Sequence, residues 1–593
     1  MPTTPVQRKP QAPTATLRSA DVKKTLIVCL LVFAATFAAY LPTLKYGFIW
    51  DDKYLILNNY QVKDLSHAVN VFKTYAGYGS DNVNNFYRPL QELSNMVNYF
   101  FWKERAIGYH LTNNLLHASV AALTALLLIS LTGDFMVALL AGTFFGVHAI
   151  HTEAVTYIAG RADPLYALFF LLALILFVRY LALKTTGRRT HGILIVSVLS
   201  FCLALLSKEI SVILPLVILM YLSMVVRPSL PKESFRAVRN TWIPYAVIAL
   251  MYGILRSSVL NFSAVAPHNI LETLPLANRL LTFFTAIPVY LRLLVVPTGL
   301  HMERDLDVVR HLSEPNAFLS LVFVTGILAG AIYLYRRNRI LSFFICWFFL
   351  NLLPVSNIYP INGMIAEHWI YMASISYFFF LAYALSWIYR KTGATRMALV
   401  GIALLGMVIT IFYAHLTMQR NRDWKDPLTF FKNTLIYSAG NARLHLSLGN
   451  TYFEQKEFRK AIDEFKIAVS LKNDYEMAYS NLGTAYFFAG DIAAAQKNLQ
   501  KAAQLKPVFP FVHYMLGLIY NYGAQSSAAI EELKTALAQN PRYYTALNAL
   551  GRIYMARRDT QNAANMFTRS LKIAPGQKDI EKVLSSISNS SKK

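Results

Sequence analysis

The chain has 593 residues, 55% of them hydrophobic, with a mean hydropathy of +0.37 and a formal net charge of +25. This excludes a single water-soluble domain, because the apolar residues stand in runs that one globular core cannot hide. It also argues against a nucleic-acid role: Lys and Arg are spread over loops and repeats rather than gathered in one stripe, and basic loops between membrane spans account for the excess.

Residues 1–23 are rich in Pro, Thr, Lys and Arg and read as a disordered cytoplasmic tail. The apolar run 26–44 is longer than a signal-peptide core and many similar runs follow it, so it reads as an uncleaved first membrane helix. Further runs of spanning length lie near 111–131, 135–150, 163–183, 192–206, 210–226, 241–258, 276–297, 318–335, 339–355, 369–389 and 396–416. Region 24–416 is thus an all-α, polytopic membrane domain. Its three cysteines, Cys29, Cys202 and Cys346, all fall inside apolar runs and give no disulfide framework.

Orientation follows from the basic loops. The tail, the loop 184–189 and the loop 227–239 alternate correctly if the N-terminus is cytoplasmic. The basic stretches "YRRNR" (335–339) and "YRKTGATR" (389–396) fall on the same side only if one earlier run does not cross. The run 276–297, with Pro288, Arg292 and Pro297, is the one expected to be interfacial or re-entrant, within a segment 276–315. About eleven crossings remain. The outer loop 45–110 and everything after His415 then share one compartment, either the periplasm of a bacterial inner membrane or the lumen of the endoplasmic reticulum. The absence of cysteines from the outer loops favours the bacterial setting.

After a linker helix at 417–441 the pattern changes. Gly449, Gly483, Gly517 and Gly551 recur every 34 residues, as do Ala461, Ala495, Ala529 and Ala563. Ala468, Ala502, Ala536 and Ser570 hold a third register, and Pro507, Pro541 and Pro575 follow the helix pairs. Small residues where two helices cross and a proline at each turn define four tetratricopeptide repeats over 442–577, an α-solenoid closed by a capping helix and tail at 578–593. Such arrays present a concave surface to a protein or peptide.

Four outward segments carry the polar chemistry. "YGFIWDD" ends in Asp51 and Asp52, two carboxylates directly after a span, and Arg88 lies further along the same loop. "HAIHTEAVTYIAGRADPL" supplies His148, His151, Glu153, Arg161 and Asp163, "LLSKEISVILP" supplies Lys208 and Glu209, and "IAEHWIYMAS" supplies Glu367 and His368. Ionisable groups near membrane depth are costly and are functional candidates by default. In the bland alternative, Arg161 pairs with Asp163 and Lys208 with Glu209 as interfacial ion pairs. His148, His151 and Glu153 also offer donors for a zinc ion, although the spacing is not that of zinc hydrolases. A lipid-linked substrate with a phosphate near the headgroups would be met by Arg161, Lys208, Arg88 or His368, while a carboxylate takes a proton from an attacking hydroxyl.

In order along the chain, "YGFIWDD", "HAIHTEAVTYIAGRADPLYALFFLLAL", "LLSKEISVILPL", "IAEHWIYMASI" and "RNRDW", followed by tetratricopeptide repeats, resemble the transmembrane-and-tetratricopeptide-repeat O-mannosyltransferases and their bacterial relatives. The resemblance implies a GT-C glycosyltransferase fold and a sugar donor, most often mannose, on a polyprenyl or dolichyl phosphate. It also implies a protein acceptor recruited by the repeats and catalysis on the outer side. It puts the catalytic acids on Asp51 and Asp52, one as general base and the other orienting it or holding a possible divalent cation such as Mg or Mn; which is which stays open. His148, His151, Glu153, Asp163, Glu209 and Glu367 are supporting residues. The family usually has Glu-Arg where this chain has Glu367-His368, which exchanges a fixed charge for a titratable one. Rival readings are a transferase of whole lipid-linked oligosaccharides and a non-enzymatic, membrane-anchored repeat scaffold.

Overall fold

The computed structural model describes residues 19–80, 84–184, 190–262, 273–304, 306–361 and 363–590. Most of the basic tail and of the loop 184–189 lies outside the described residues. No strand occurs among the described residues, and the chain divides into two compact units, 1–430 and 431–593.

Among the described residues of the first unit, seven helices are long and apolar enough to cross a bilayer: Asp21–Lys45, Ala106–Thr132, Ile158–Lys184, Glu209–Ser229, Leu276–Val295, Pro315–Arg337 and Arg396–Asp423. Phe135–Gly146 and Ala149–Val155 form an eighth if their 51° bend lies within one broken span. His191–Ser207, Ile243–Ser257 and Arg339–Val355 are apolar but shorter. One continuous apolar core joins these helices, with Phe145, Phe170, Trp347, Tyr371 and Phe378 at its centre. The long helices keep apolar side chains on their outer surfaces, such as Leu404, Met407 and Ile411. Such faces suit lipid and not water.

The run expected at 369–389 forms a helix only from Ile375 to Lys391, because 367–370 turns tightly as a 3₁₀ segment and aims Glu367 inward. The linker expected at 417–441 is likewise two pieces. The last long helix runs on to Asp423, and Asp426 starts a new one, Pro427–Leu435, by accepting the Thr429 N–H at 2.8 Å.

Helix Leu276–Val295 is the least apolar of the seven. Its first turn is tied by Asn278 to the Val309 and Arg310 carbonyls and by Arg279 to the Asn357 carbonyl. Near its other end Tyr290 donates to the Ala366 carbonyl, and the Leu294 carbonyl accepts from His148. Both ends therefore engage the loops that surround Glu367.

Helix Pro89–Trp102 in the first loop is inverted relative to a helix of a soluble protein. It buries Gln91, Glu92, Asn95 and Asn98 and exposes Val97, Phe100 and Phe101. An apolar outer face on a helix outside the bundle suits the interfacial layer of a membrane.

In the second unit each 34-residue period is one helical hairpin, from Ala442–Glu454 with Phe458–Leu471 to Tyr544–Ala556 with Thr560–Ile573. The period has a steric origin. A Cβ placed on Gly449, Gly483, Gly517 or Gly551 would stand 2.5–2.7 Å from Phe465, Leu499, Leu533 or Phe567, sixteen residues later on the partner helix. Only glycine permits that approach. Helix Lys578–Ser590 caps the array by laying Ile580 and Ile587 against Ala563 and Phe567.

Candidate functional site

The neighbouring aspartates have separate tasks. Asp52 is fully buried, with Oδ2 accepting the Ile49 N–H at 2.9 Å and Oδ1 accepting the Ala159 N–H at 2.8 Å. It stitches the first outer loop to the "IAGR" turn. Burial pushes its carboxyl up to about 8, against the pull of those two amides. Asp51 is half-buried. Its backbone N–H donates to the Tyr157 hydroxyl at 3.1 Å, and the same hydroxyl hydrogen-bonds the Asp51 carboxylate. With Asp52 occupied by the backbone, Asp51 is the more exposed carboxylate of the two.

Several expected donor-phosphate residues have other employment. Arg161 is fully buried. Its Nε donates to Asn113, Nη1 to Asn95 and Ser94, and Nη2 to the Tyr109 carbonyl, at 2.7–3.2 Å. A buried guanidinium spread over neutral acceptors is a brace between helices 89–102 and 106–132 and the 158–161 turn. Neither of the expected ion pairs forms. Asp163 turns away from Arg161 and takes Lys208 on both oxygens, at 2.7 and 2.8 Å. Glu209 faces Arg88 at 3.5 Å instead of Lys208. The reason is direction: Arg161 ends a 3₁₀ turn while Asp163 opens the next helix, whose start meets the end of helix His191–Ser207.

The histidines of "HAIHTE" are committed as well. His148 Nε2 donates to the Leu294 carbonyl and Nδ1 accepts the Ile150 N–H, while His151 Nδ1 donates to the Phe145 carbonyl and Nε2 lies 3.0 Å from the Ser374 hydroxyl. A carbonyl can only accept, so each tautomer is fixed; both nitrogens of His148 are engaged, and the Ser374 side chain stands where a metal on His151 Nε2 would have to sit. These residues do not fit a zinc site. Among the described residues no three of His, Cys, Asp and Glu group closely enough to hold a metal ion.

What does converge is a second cluster. Glu153 accepts the His368 N–H at 3.1 Å and meets its Nδ1 at 2.7 Å. Beside it Glu367, fully buried, accepts the His301 N–H at 2.6 Å and faces Arg304 at 3.4 Å and Arg420 at 3.8 Å. Arg420 also holds Asp423 at 2.9 Å. Burial raises the Glu367 carboxyl to about 7, with Arg420 opposing and Glu153 adding to the rise. Aromatic rings link this cluster to Asp51: the Arg420 guanidinium lies over Trp424 at 5.1 Å, and Trp424 stacks on Tyr157 at 5.5 Å. The Gly47 N–H bonds the Lys425 carbonyl, and Trp50 packs against Phe430. Sequence reading missed His301, Arg304 and Arg420 as site residues. The available signal was "RNRDW", which puts an arginine at the end of an apolar span.

The architecture and the site together define a multi-pass membrane protein with a carboxylate-bearing polar cluster and a tetratricopeptide array. Family models agree on the array: "TPR repeat" matches residues 449–490 and "Tetratricopeptide repeat" matches 478–509 and 514–578.

The resemblance read from the motifs holds over about three quarters of the chain. It is 28% identical over 492 residues to the mouse "Protein O-mannosyl-transferase TMTC3", covering 76% of this chain and 52% of that protein, and 25% identical over 486 residues to its human counterpart, with the same coverage. To the Drosophila melanogaster "Protein O-mannosyl-transferase Tmtc1" it is 34% identical over 183 residues, 30% of this chain and 21% of the relative. The chain spans about half the length of the TMTC3 relatives it matches. Among solved structures, MamA is similar at 28% identity with a TM-score of 0.24, over 25% of this chain and 85% of MamA.

Proposed function

We propose that this chain is a GT-C-type glycosyltransferase that moves a sugar, mannose by the names of its relatives, from a polyprenyl or dolichyl phosphate to a hydroxyl of a protein. The observation that carries the reading is Asp51, a half-buried carboxylate at the mouth of a membrane bundle, held by Tyr157 and backed by a partner whose oxygens are taken. Asp51 takes the proton of the acceptor hydroxyl as that oxygen attacks the anomeric carbon. The bond from that carbon to the donor phosphate breaks, and the phosphate leaves with its electron pair. Asp52 is a positioning residue. A divalent cation, if the reaction uses one, would have to share Asp51 with the acceptor.

The reading puts this chemistry on the outer side, in periplasm or lumen, with helix Leu276–Val295 lying along that face. The ties from both its ends to loops around Glu367 support this. In this reading the repeats collect the acceptor.

The test is transfer from a polyprenyl-phosphate mannose to a serine- and threonine-containing polypeptide by the purified full chain, with and without a chelator. Asp51→Asn should lower kcat about 10²- to 10⁴-fold with an unchanged melting temperature. Full activity in a folded Asp51→Asn variant would sink the assignment. Activity only with pyrophosphate-linked oligosaccharides would shift the donor class.

A further inference from the structure

In the transferase reading Arg161 and Lys208 are consumed by internal bonds, while Arg88 faces Glu209 and His368 meets Glu153. Arg304 and Arg420 are only partly satisfied: Arg304 Nη2 donates to the Gly299 carbonyl at 2.7 Å and Arg420 Nη1 to Asp423 at 2.9 Å. Among the described residues, Nε of Arg304 and Nε and Nη2 of Arg420 are buried with no hydrogen-bond partner, and so is Oε2 of Glu367 between them. The side chain of Arg420 is 7% exposed and that of Glu367 is 1% exposed. Buried donors on a charged group normally find acceptors, because leaving one unmet forfeits its hydration with nothing in return. Here two guanidinium groups face one carboxylate at 3.4 and 3.8 Å, too far for good hydrogen bonds.

Resting on the transferase reading, we propose that Arg304 and Arg420 form the seat of the lipid-linked phosphate, and that the Glu367 carboxylate is the internal anion that yields the seat when the phosphate arrives. A phosphodiester brings one negative charge and oxygens able to reach both guanidinium groups, which a single distant carboxylate cannot satisfy. His368, held on Glu153, stands at the same cluster, with Tyr290, Asp423 and the His301 ring, whose Nδ1 lies 3.2 Å from Arg304. Two stacked aromatic rings, Trp424 and Tyr157, link Arg420 to the Asp51 loop.

The charge on Glu367 gives a direction with pH. Ionised, it competes with an incoming phosphate for Arg304 and Arg420; protonated, it competes less. Its carboxyl titrates near 7, raised by burial, so the KM of the mannosylated lipid, a phosphodiester whose own charge is constant in this range, should rise as pH rises from 6 to 8.

The experiment measures binding of undecaprenyl phosphate, undecaprenol and inorganic phosphate to the full chain in nanodiscs, alongside transfer from the mannosylated lipid. Arg304→Gln and Arg420→Gln should each weaken undecaprenyl phosphate about tenfold or more, with undecaprenol unaffected. Glu367→Gln should tighten it and flatten the pH dependence, a gain that a misfolded protein cannot produce. Unchanged affinity in all three variants, with wild-type turnover intact, overturns the seat and leaves the transferase reading standing. Lost affinity in the arginine variants, without turnover of any lipid-linked sugar by the wild type, supports the seat and overturns that reading. Equal loss for inorganic phosphate and for the lipid assigns the seat to a soluble phosphate and overturns the lipid part of the proposal.

Discussion

Asp51 and Asp52 are one residue apart and chemically unlike, and the difference is set entirely by what surrounds them. Asp52→Asn can accept only one of the two amide hydrogens that its parent takes, so it should lower the melting temperature, where Asp51→Asn should not. Arg161→Ala leaves the oxygens of Asn95, Asn113 and Tyr109 unmet, each at about 1–3 kcal/mol. It should reduce yield and melting temperature while any folded fraction keeps its affinity for undecaprenyl phosphate. Lys208→Met strands the buried Asp163 and should cost about 3–5 kcal/mol, with partial recovery in a Lys208→Met, Asp163→Leu double variant, read by thermal unfolding in detergent. The outward motifs were legible as polar interruptions of apolar runs, and they name nearly every acid of the site. Their partners were not legible, because Asp163 meets Lys208 across 45 positions and Glu153 meets His368 across 215, whereas sequence reasoning reaches first for neighbours such as Arg161 and Asp163.

Among elements, the repeats were the most readable part of the chain, since a 34-residue period is a direct trace of one hairpin contacting the next. Gly517→Val puts new carbons into Leu533 and should destabilise its hairpin by about 1–3 kcal/mol, seen as faster amide exchange over 510–539 than elsewhere in the array. Two of the hairpins share a further device. His445 meets Glu464 at 2.7 Å and His513 meets Glu532 at 2.7 Å, two periods apart. The Glu464 bond raises the His445 imidazole above its ordinary value, so its contribution is full below the unfolded value and fades as pH rises through the folded one. Amide protection of helix Ala442–Glu454 should therefore fall between pH 6 and 8, and His445→Gln should remove that dependence. The bundle was less readable. Hydropathy marks where apolar runs stand, but not that 369–374 leaves the helix to carry Glu367 inward, nor that helix Leu276–Val295 ties both its ends to one group of loops. Those features depend on contacts made after folding.

For the whole molecule, the arrangement turns on sidedness. Single cysteines at Ser66 and Ser527, exposed positions in the first loop and the third repeat, should react with an impermeant maleimide from the same side of sealed vesicles. Opposite labelling would separate the repeats from the proposed chemistry. Removing 442–593 should leave hydrolysis of the lipid-linked sugar in place and depress transfer to a polypeptide through KM. Six residues separate helix Pro427–Leu435 from the first hairpin at Ala442, at most about 25 Å of chain. On the transferase reading, an acceptor gripped by the array would stay on so short a leash that a second serine or threonine arrives before the first product can diffuse away. Modified residues should then appear in clusters along one polypeptide instead of singly across many, a pattern that a longer spacer spliced in at residue 438 would dilute.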